Sequence, residues 1–263
     1  MATDTNRVAI VTGGGTGIGA ATARALAASG VSVIVTGRRA EPLEEVADQI
    51  GGLGVVADVT SQDDWGRVIA LADEQFGGAN ILVANAGIEG FGSVETVTLN
   101  EWRAVQRTNV DGVFLGIRAV VPSMRRRGGG SVVVVSSVAG LTSGPEYVAY
   151  VTSKTAVLGL IRSAAVDLGP DLIRVNAVCP GWTRTEMSER ETELVAIQEG
   201  IGAEQLWSRL VEPLPLGRAA DPEEIAACIE FLTGPGASFV TGAMLVADGG
   251  GSAVDVGTLG FRR

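Results

Sequence analysis

Short apolar runs alternate with longer amphipathic stretches along this chain of 263 residues. The apolar runs are rich in Val, Ile, Leu and Ala and nearly continuous, as is typical of strands buried on both faces of a sheet. Seven of them are expected to be strands: Val8–Thr12, Val31–Thr36, Gly54–Ala57, Ile81–Ala84, Ser131–Ser136, Ile173–Val178 and Ala243–Ala247. Six stretches between them have helical periodicity: Gly17–Ser29, Pro42–Ile50, Gln62–Phe76, Asn100–Arg127, Tyr150–Leu168 and Pro222–Thr233. This alternation predicts an α/β fold, a doubly wound parallel seven-stranded sheet with helices on both faces.

Two regions interrupt the alternation. The segment 186–216 separates the sixth strand from the last helix, and its apolar residues suit helices packed over an apolar pocket, so it is expected to form a lid over the substrate. The segment 249–263 is a glycine-rich tail that could reach a neighbouring subunit or be mobile. No break in composition and no linker divides the chain, so residues 1–263 are expected to form a single domain.

The composition excludes several classes of function. No apolar stretch approaches the roughly 20 residues that span a bilayer, and residues 1–6 lack the features of a signal peptide, so we expect a cytoplasmic protein without a membrane partner. The net charge of −10 argues against a nucleic-acid partner. The chain has no histidine, which excludes Ser-His-Asp and Cys-His nucleophile systems and histidine-ligated metal sites. We expect no metal, and Cys179 and Cys228 are expected to be small buried hydrophobes.

A glycine-rich loop follows the first strand and precedes a helix. The loop reads Thr-Gly-Gly-Gly-Thr-Gly-Ile-Gly over residues 12–19, a spacing that departs from Gly-x-Gly-x-x-Gly. Glycines let backbone N–H groups approach a pyrophosphate at the positive end of the helix. The order of strand, loop and helix therefore predicts dinucleotide binding by Gly13, Thr16, Gly17, Ile18 and Gly19.

The end of the second strand indicates which dinucleotide is bound. A carboxylate there would bind the adenosine ribose and favour NAD, but residues 36–39 contain none. Arg38 and Arg39 occupy this position instead, and guanidinium groups suit a 2′-phosphate. NADP (NADPH) is therefore the preferred cofactor. Because both arginines could instead be solvated loop residues, NAD is possible.

Two further loops are expected to contact the dinucleotide. Asp58 and Val59, which close the third predicted strand, could bind the adenine amino group. Asn85, Ala86 and Gly87 follow the fourth strand and could form the floor beneath the dinucleotide.

Tyr150 and Lys154 are the candidate groups for proton transfer. Lys154 is the only lysine, since Lys and Arg total 20 and the other nineteen (20 − 1) are arginines. Positions i and i+4 share one face of a helix, so the phenol and the ammonium should point into the same space. A free phenol titrates near about 10, and a neighbouring cation favours its ionised form. Tyr150 is therefore the expected general acid/base.

A serine at the end of the fifth strand is the candidate that holds the substrate oxygen. Ser137 lies just past the run Val132–Val135, at the edge of the sheet where open α/β sheets bind ligands. Its hydroxyl would position that oxygen for attack. Adjacent Ser136 is the competing candidate.

Five motifs occur in the order and spacing of one family: Thr12–Gly19, Asn85-Ala86-Gly87, Ser137, Tyr150-x3-Lys154 and Pro180-Gly181. From about Arg7 to Gly250, the chain resembles the compact, single-domain branch of the short-chain dehydrogenase/reductase family. The sugar epimerase and dehydratase branch spaces its glycines differently, and enoyl reductases place more residues between tyrosine and lysine.

The resemblance implies further roles. It implies that Lys154 also holds the nicotinamide ribose, that Thr183 contacts the carboxamide, and that Pro180 and Gly181 adjoin the cofactor. Asn109 matches the family residue that anchors a helix kink and a water leading to the lysine. An asparagine within a helix could also be simply solvated or bonded locally.

The expected reaction is hydride exchange between NADP and a ketone or secondary alcohol, with proton transfer through Tyr150. Tyr147, Trp182 and Met187 are expected to line the substrate pocket together with Ser137. The many glutamates of the segment 186–216 disfavour a phosphorylated or carboxylate substrate and suit a neutral carbonyl compound.

Three other functions stay open at this stage: an NAD-dependent secondary alcohol dehydrogenase, a 3-oxoacyl thioester reductase and a non-catalytic dinucleotide-sensing scaffold. The helix after Lys154 is apolar and small nearly all round, so we expect it to pack against its twin. With the resemblance, this predicts a homotetramer.

Overall fold

The computed structural model describes residues 7–255 and 257, and it contains one seven-stranded sheet. All neighbouring strands pair in parallel, in the order β3-β2-β1-β4-β5-β6-β7. The strands are β1 Val8–Thr12, β2 Ser32–Gly37, β3 Leu53–Val56, β4 Ile81–Ala84, β5 Gly130–Val135, β6 Ile173–Pro180 and β7 Met244–Ala247. The doubly wound α/β fold expected from the sequence is confirmed.

Helices cover both faces of the sheet. Their bounds are α1 Gly17–Ala28, α2 Ala40–Ile50, α3 Gln62–Phe76, α4 Leu99–Gln106, α5 Gly112–Arg126, α6 Val148–Leu168, α7 Glu186–Glu199, α8 Ala203–Val211 and α9 Pro222–Thr233. One apolar cluster joins the sheet to α3, α5 and α6, and a second joins it to α1, α2 and α9. The strands are therefore buried on both faces, which explains their continuous apolar runs.

Two differences from the expected elements affect proposed site residues. The long helix proposed for residues 100–127 is interrupted by one wider π-helical turn, Arg107–Asp111, which contains Asn109. The third strand ends at Val56, so Asp58 and Val59 lie in the following loop instead of closing the strand. That loop is bonded to α3, since the backbone N–H of Asp58 donates to Asp64 at 2.7 Å.

The lid segment forms α7 and α8. Thr185 caps α7, because its hydroxyl accepts a hydrogen bond from the backbone N–H of Ser188 at 3.2 Å. The buried Trp207 of α8 donates from its indole to Glu189 of α7 at 3.0 Å, which holds the two helices together. Part of the glycine-rich tail lies outside the described residues. Its first residue, Gly249, accepts a hydrogen bond from the backbone N–H of Leu216 at 3.1 Å.

The strand order reverses between β1 and β4, which lie side by side at the centre of the sheet. In open parallel sheets a ligand binds outside the carboxyl ends of the strands at such a switch point. In the part of the chain that is described, no helix is both long and apolar enough to traverse a lipid bilayer.

Candidate active site

A cavity of about 870 Å³ runs along the carboxyl edge of the sheet. Its lining extends from Arg38 after β2, past the loops after β1 and β4, to Tyr150 on α6. Of the site residues proposed from the sequence, all line this cavity except Gly19 and Asn109. The cavity is therefore one continuous cleft, with the proposed dinucleotide loop and the proposed catalytic residues along it.

The loop after β1 has no room for side chains at two of its glycines. A Cβ on Gly19 would lie 2.1 Å from the carbonyl oxygen of Gly13, and one on Gly14 would lie 2.7 Å from Val35. Gly19 thus packs beneath the loop and does not face the cavity. The side chain of Asn85 holds the loop from the other side, since its amide donates to the carbonyls of Thr12 at 3.0 Å and Gly13 at 3.2 Å. The proposed floor residue therefore also fixes the shape of the loop.

At the adenosine end, the two arginines have different surroundings. The guanidinium of Arg39 makes a bidentate ion pair with Glu186 at the start of α7, at 3.1 and 2.9 Å. Arg39 is therefore not the freely solvated loop residue of the alternative interpretation. Arg38 lies near Asp58, whose pKa is lowered mainly by a hydrogen bond from the backbone N–H of Thr60 and also by the charge of Arg38.

At the other end, Ser137 and Tyr150 both line the cavity, and the side chain of Ser137 acts on the phenol of Tyr150. Burial raises the pKa of Tyr150, the hydrogen bond from Ser137 lowers it, and the charges of Glu89 and Glu191 raise it. The net direction is upward. Without the nicotinamide charge that was expected to assist it, Lys154 is not among the groups that shift the pKa of this phenol.

The position of the lysine explains this result. The ammonium of Lys154 donates to the carbonyl of Val135 at 2.9 Å and lies 5.5 Å from the centre of the Tyr150 ring. Burial lowers the pKa of Lys154 to about 8, so part of its charge is lost near neutral pH. Lys154 lines the cavity, but its ammonium group donates to the backbone of β5 and not to Tyr150.

The two adjacent serines differ in what they contact. Ser136 is buried, and its hydroxyl donates to the backbone carbonyl of Lys154 at 3.0 Å, which ties β5 to α6. Ser137 accepts a hydrogen bond from the backbone N–H of Ala139 at 3.1 Å while its side chain meets Tyr150. This geometry favours Ser137 over Ser136 for contact with a substrate.

Asn109 is only 2% exposed, so it is not a solvated residue. Its amide nitrogen donates to the carbonyl of Ile88 at 2.8 Å and to the hydroxyl of Ser153 at 3.0 Å. Its amide oxygen accepts from the backbone N–H of Ile88 at 2.8 Å. The side chain thus joins the π-helical turn to the loop after β4 and to α6, one residue before Lys154.

The loop after β6 brings two of the proposed residues to the cavity. The hydroxyl of Thr183 donates to the carbonyl of Gly181 at 3.1 Å. Trp182 packs edge-on against Trp207 of α8, with ring centres 5.8 Å apart. Trp182 therefore contributes to both the cavity wall and the attachment of the lid.

The cavity residues that sequence reasoning missed include Glu89, Phe91 and Glu191, which lie at its substrate end. Glu89 and Phe91 follow the Asn85-Ala86-Gly87 loop closely, so their place in the sequence could have indicated that they line the cavity. Glu191 carried no such signal, because only the packing of α7 turns it inward. The hydroxyl of Tyr147 donates to its carboxylate.

The residues present fit a nicotinamide dinucleotide. Gly14 and Gly19 have no room for a side chain, so backbone groups are exposed at the start of α1, as pyrophosphate binding requires. A Cβ on Gly87 would lie 3.3 Å from the amide oxygen of Asn109 and 3.5 Å from the ammonium of Lys154, so this glycine packs closely against both side chains. Among the described residues, no group of three or more carboxylate or cysteine side chains could hold a metal ion.

Curated proteins of similar sequence cover nearly the whole chain. The chain is 40% identical to "Protein MoaE" of Klebsiella aerogenes over 97% of its own length and 99% of that protein's. It is 37% identical to trans-4-hydroxycyclohexanecarboxylate dehydrogenase of Sinomonas cyclohexanicum, over 94% and 93% of the two chains. It is also 37% identical to human dehydrogenase/reductase SDR family member 4, over 93% and 87%.

Solved structures have the same fold. A variant of actinorhodin polyketide ketoreductase, crystallised with NADPH, superposes with a TM-score of 0.91 at 32% identity, over 97% of this chain and 100% of that one. Levodione reductase superposes with a TM-score of 0.90 at 33% identity, over 95% and 98%. A family model described as enoyl-(acyl carrier protein) reductase matches residues 13–252. Together these matches show that the chain belongs to the short-chain dehydrogenase/reductase family of NAD(P)-dependent oxidoreductases.

Proposed function

We propose that the protein is an NADPH-dependent carbonyl reductase that converts a ketone to a secondary alcohol and catalyses the reverse reaction at high alcohol concentration. The observation that carries this proposal is that Ser137, Tyr150 and Lys154 line one end of the same cleft, with Lys154 on the next turn of α6 after Tyr150. The shared face of one helix supports a common role for Tyr150 and Lys154.

In the proposed reaction, the bound cofactor supplies a hydride to the carbonyl carbon. Ser137 holds the carbonyl oxygen, and Tyr150 transfers its hydroxyl proton to that oxygen as the C–H bond forms. With the cofactor bound, Lys154 would hold the nicotinamide ribose, and its positive charge would limit the build-up of negative charge on Tyr150. Asn109 is a positioning residue, because it holds α6 in place next to Lys154 and touches no reacting atom.

The tyrosine–lysine spacing also argues for carbonyl chemistry. The description of the matching family model names enoyl reductases, in which more residues separate the two. Tyr150 and Lys154 are four apart and lie on one helix face. The related proteins named as dehydrogenases or ketoreductases support the same choice.

Two observations support NADPH as the preferred cofactor. Arg38 and Arg39 both line the adenosine end of the cleft, and residues 36–39 include no carboxylate. The related ketoreductase is a complex with NADPH. Replacing both arginines with alanine should raise KM for NADPH more than KM for NADH. Equal effects on both cofactors would leave NAD-dependent oxidation of a secondary alcohol as the better assignment.

The test of the activity is a spectrophotometric screen of NADPH and NADH oxidation with aliphatic, cyclic, aromatic and acyl-thioester ketones. Tyr150→Phe is the matched control, because it removes only one hydroxyl. The proposal is supported if the native protein reduces a ketone and the Tyr150→Phe variant does not. Reduction of acyl-thioester ketones alone would make it a 3-oxoacyl thioester reductase. Absence of turnover with every ketone, while NADPH still binds, would indicate the dinucleotide-sensing scaffold.

We propose that the protein assembles as a homotetramer through α6. The outer face of this helix carries Thr155, Ala156 and Gly159, which are exposed in the single chain. A Cβ at Gly159 would meet open space, so a larger side chain there fits the monomer and obstructs only close approach of a second helix. Gly159→Arg should therefore lower the mass measured by sedimentation equilibrium. A tetramer that persists in this variant would contradict assembly through α6.

A further inference from the structure

Two carboxyl groups line the substrate end of the cleft beside the proposed acid/base. Glu89 lies in the loop after β4 and Glu191 on α7 of the lid, and the two carboxyl groups act directly on each other. Glu191 is only 7% exposed, and the hydroxyl of Tyr147 donates to it. The charges of both carboxyl groups act on Tyr150. The pair is therefore part of the cleft where the substrate must bind.

Few positive charges of the protein offset the negative charge of these two carboxyl groups. The cation that acts on Glu89 is Arg190, which lies on the exposed side of α7 and is also 3.4 Å from Glu186. Burial, together with the neighbouring charge of Glu191, raises the pKa of Glu89 to about 8. Two carboxyl groups that share a desolvated site do not both ionise readily. Near neutral pH, Glu89 consequently keeps a proton in the protein alone.

Aromatic rings complete the same end of the cleft. Phe91 and Tyr147 are in contact with ring centres 5.2 Å apart, and Tyr147 lies edge-on to Tyr150 with ring centres 6.4 Å apart. Carboxylates together with aromatic faces form a favourable environment for an organic cation. The same groups repel the phosphates and carboxylates that acidic substrates carry.

We propose that the substrate carries a cationic amine, and that Glu89 and Glu191 bind its ammonium group while Tyr150 and Ser137 bind its carbonyl oxygen. This inference rests on the proposed reduction of a ketone. It replaces the neutral carbonyl compound expected from the composition of the lid. The short distance between Tyr147 and Tyr150 favours an amino ketone, or the corresponding amino alcohol, in which only a few bonds separate the two groups.

The cation also affects the chemistry. When they are ionised, Glu89 and Glu191 raise the pKa of Tyr150 and so oppose formation of a phenolate. An ammonium group between the two carboxylates offsets that effect, since opposite charges favour each other's ionised forms. A cationic substrate should therefore gain in kcat as well as in binding. A neutral ketone leaves the acidic pair uncompensated.

The experiment compares two methyl ketones of equal shape. One carries a trimethylammonio group three methylenes from the carbonyl, and the other carries a tert-butyl group at the same place. We expect kcat/KM with saturating NADPH to be at least about tenfold higher for the charged ketone, because its charge meets carboxylates in a partly desolvated cleft. Glu89→Gln and Glu191→Gln should each reduce this ratio. Glu193→Gln, on the exposed face of the same helix, should leave the ratio unchanged.

The pH dependence distinguishes a cation from a neutral polyol. The groups that face Glu89 are Glu191 and Arg190 on α7, Tyr147 before α6, and Tyr150 on α6. Below pH about 8, a fixed cation must displace the proton of Glu89, so the ratio of the two ketones should rise as pH increases through that value. A polyol would use the protonated carboxyl as a donor, so its binding should weaken over the same range.

Calorimetric binding of the two ketones to the complex with oxidised NADP, which has no hydride to transfer, tests the inference without turnover. At pH 7 the charged ketone should bind more tightly and release protons, which two buffers of different ionisation enthalpy will detect. Equal binding of the two ketones, or a preference that survives both glutamine substitutions, would overturn the ammonium site. Preferential binding of the charged ketone without reduction of either would overturn the proposed activity while leaving the site in place.

Discussion

The ion pair between Arg39 and Glu186 leads to a prediction about cofactor selection. Arg39 is a proposed ligand of the 2′-phosphate, yet Glu186 at the start of the lid holds its guanidinium at two points. Glu186→Gln removes the competing charge and keeps the size of the side chain. We expect this variant to bind NADPH more tightly, because Arg39 no longer has to leave a carboxylate to reach the phosphate.

The magnitude follows from the exposure of the pair. The side chains of Arg39 and Glu186 are 58% and 45% exposed, so solvent screens the interaction. Pairs of this kind are worth about 0.2–1 kcal/mol. Since 1 kcal/mol corresponds to a factor of about 5, Kd for NADPH should fall by up to about fivefold. NADH has no 2′-phosphate and leaves the pair intact, so its Kd should change little.

The assay is fluorescence titration of both cofactors, and the readout is the ratio of their Kd values. The ratio matters because Glu186 also lies in the first turn of α7, where a carboxylate stabilises the helix. Loosening of the lid would affect both cofactors alike and cancel in the ratio. Glu193→Gln, elsewhere on α7, is the control for a general loss of negative charge. In about 1 M salt, screening should shrink the difference between native protein and variant.

A parallel change in the Kd of NADPH and NADH would refute this reasoning, since it would assign the effect to the lid as a whole. An unchanged Kd for NADPH combined with a large loss in Arg39→Ala would mean that Arg39 binds phosphate without leaving Glu186. In that case the ion pair is part of the cofactor site and does not compete with it.

Three further predictions concern the catalytic end and the lid. Burial lowers the pKa of Lys154 to about 8, so the activity of the native protein should fall as pH rises through that value. Lys154→Arg should lower kcat and remove this pH dependence, because the guanidinium keeps its charge. A native pH–rate profile in this variant would exclude that assignment. Ser137→Ala should lower kcat/KM by about tenfold or more while the melting temperature stays near native. Ser136→Ala should mainly lower the melting temperature, because it leaves the buried carbonyl of Lys154 without its hydrogen-bond donor. Trp207→Ala should destabilise the lid by about 3–5 kcal/mol, because this side chain is buried; differential scanning calorimetry with an unchanged transition would contradict its role in the packing.

The fold was largely predictable because its strands are buried on both faces. A continuous Val/Ile/Leu run between amphipathic stretches has few other structural solutions, and the seven expected strands all occur with small shifts in their ends. The break at Arg107–Asp111 was not visible in the periodicity, since a single π-helical turn shifts the apolar pattern by only one residue. The end of β3 was misplaced for a similar reason, because Ala57 is buried without belonging to the strand.

Parts of the site that follow from spacing along one element were also predictable. Tyr150 and Lys154 share a helix face, and the glycine loop lies directly between β1 and α1. The upward shift in the pKa of Tyr150 in the protein without cofactor was not predictable in this way. A pKa depends on burial and on every nearby charge, and two of those charges come from Glu89 and Glu191, which are distant in sequence from α6.

By itself, the sequence determined the order of strands and helices, the family, and the positions from which Ser137, Tyr150 and Lys154 enter the cleft, because each depends on local periodicity and short spacings. Only the tertiary structure decided that Arg39 is bound to the lid, that Asn109 joins three segments, and that two carboxyl groups meet at the substrate end. Those contacts link residues far apart in the chain. They form only when the lid and the loops after β2 and β4 fold against the same edge of the sheet.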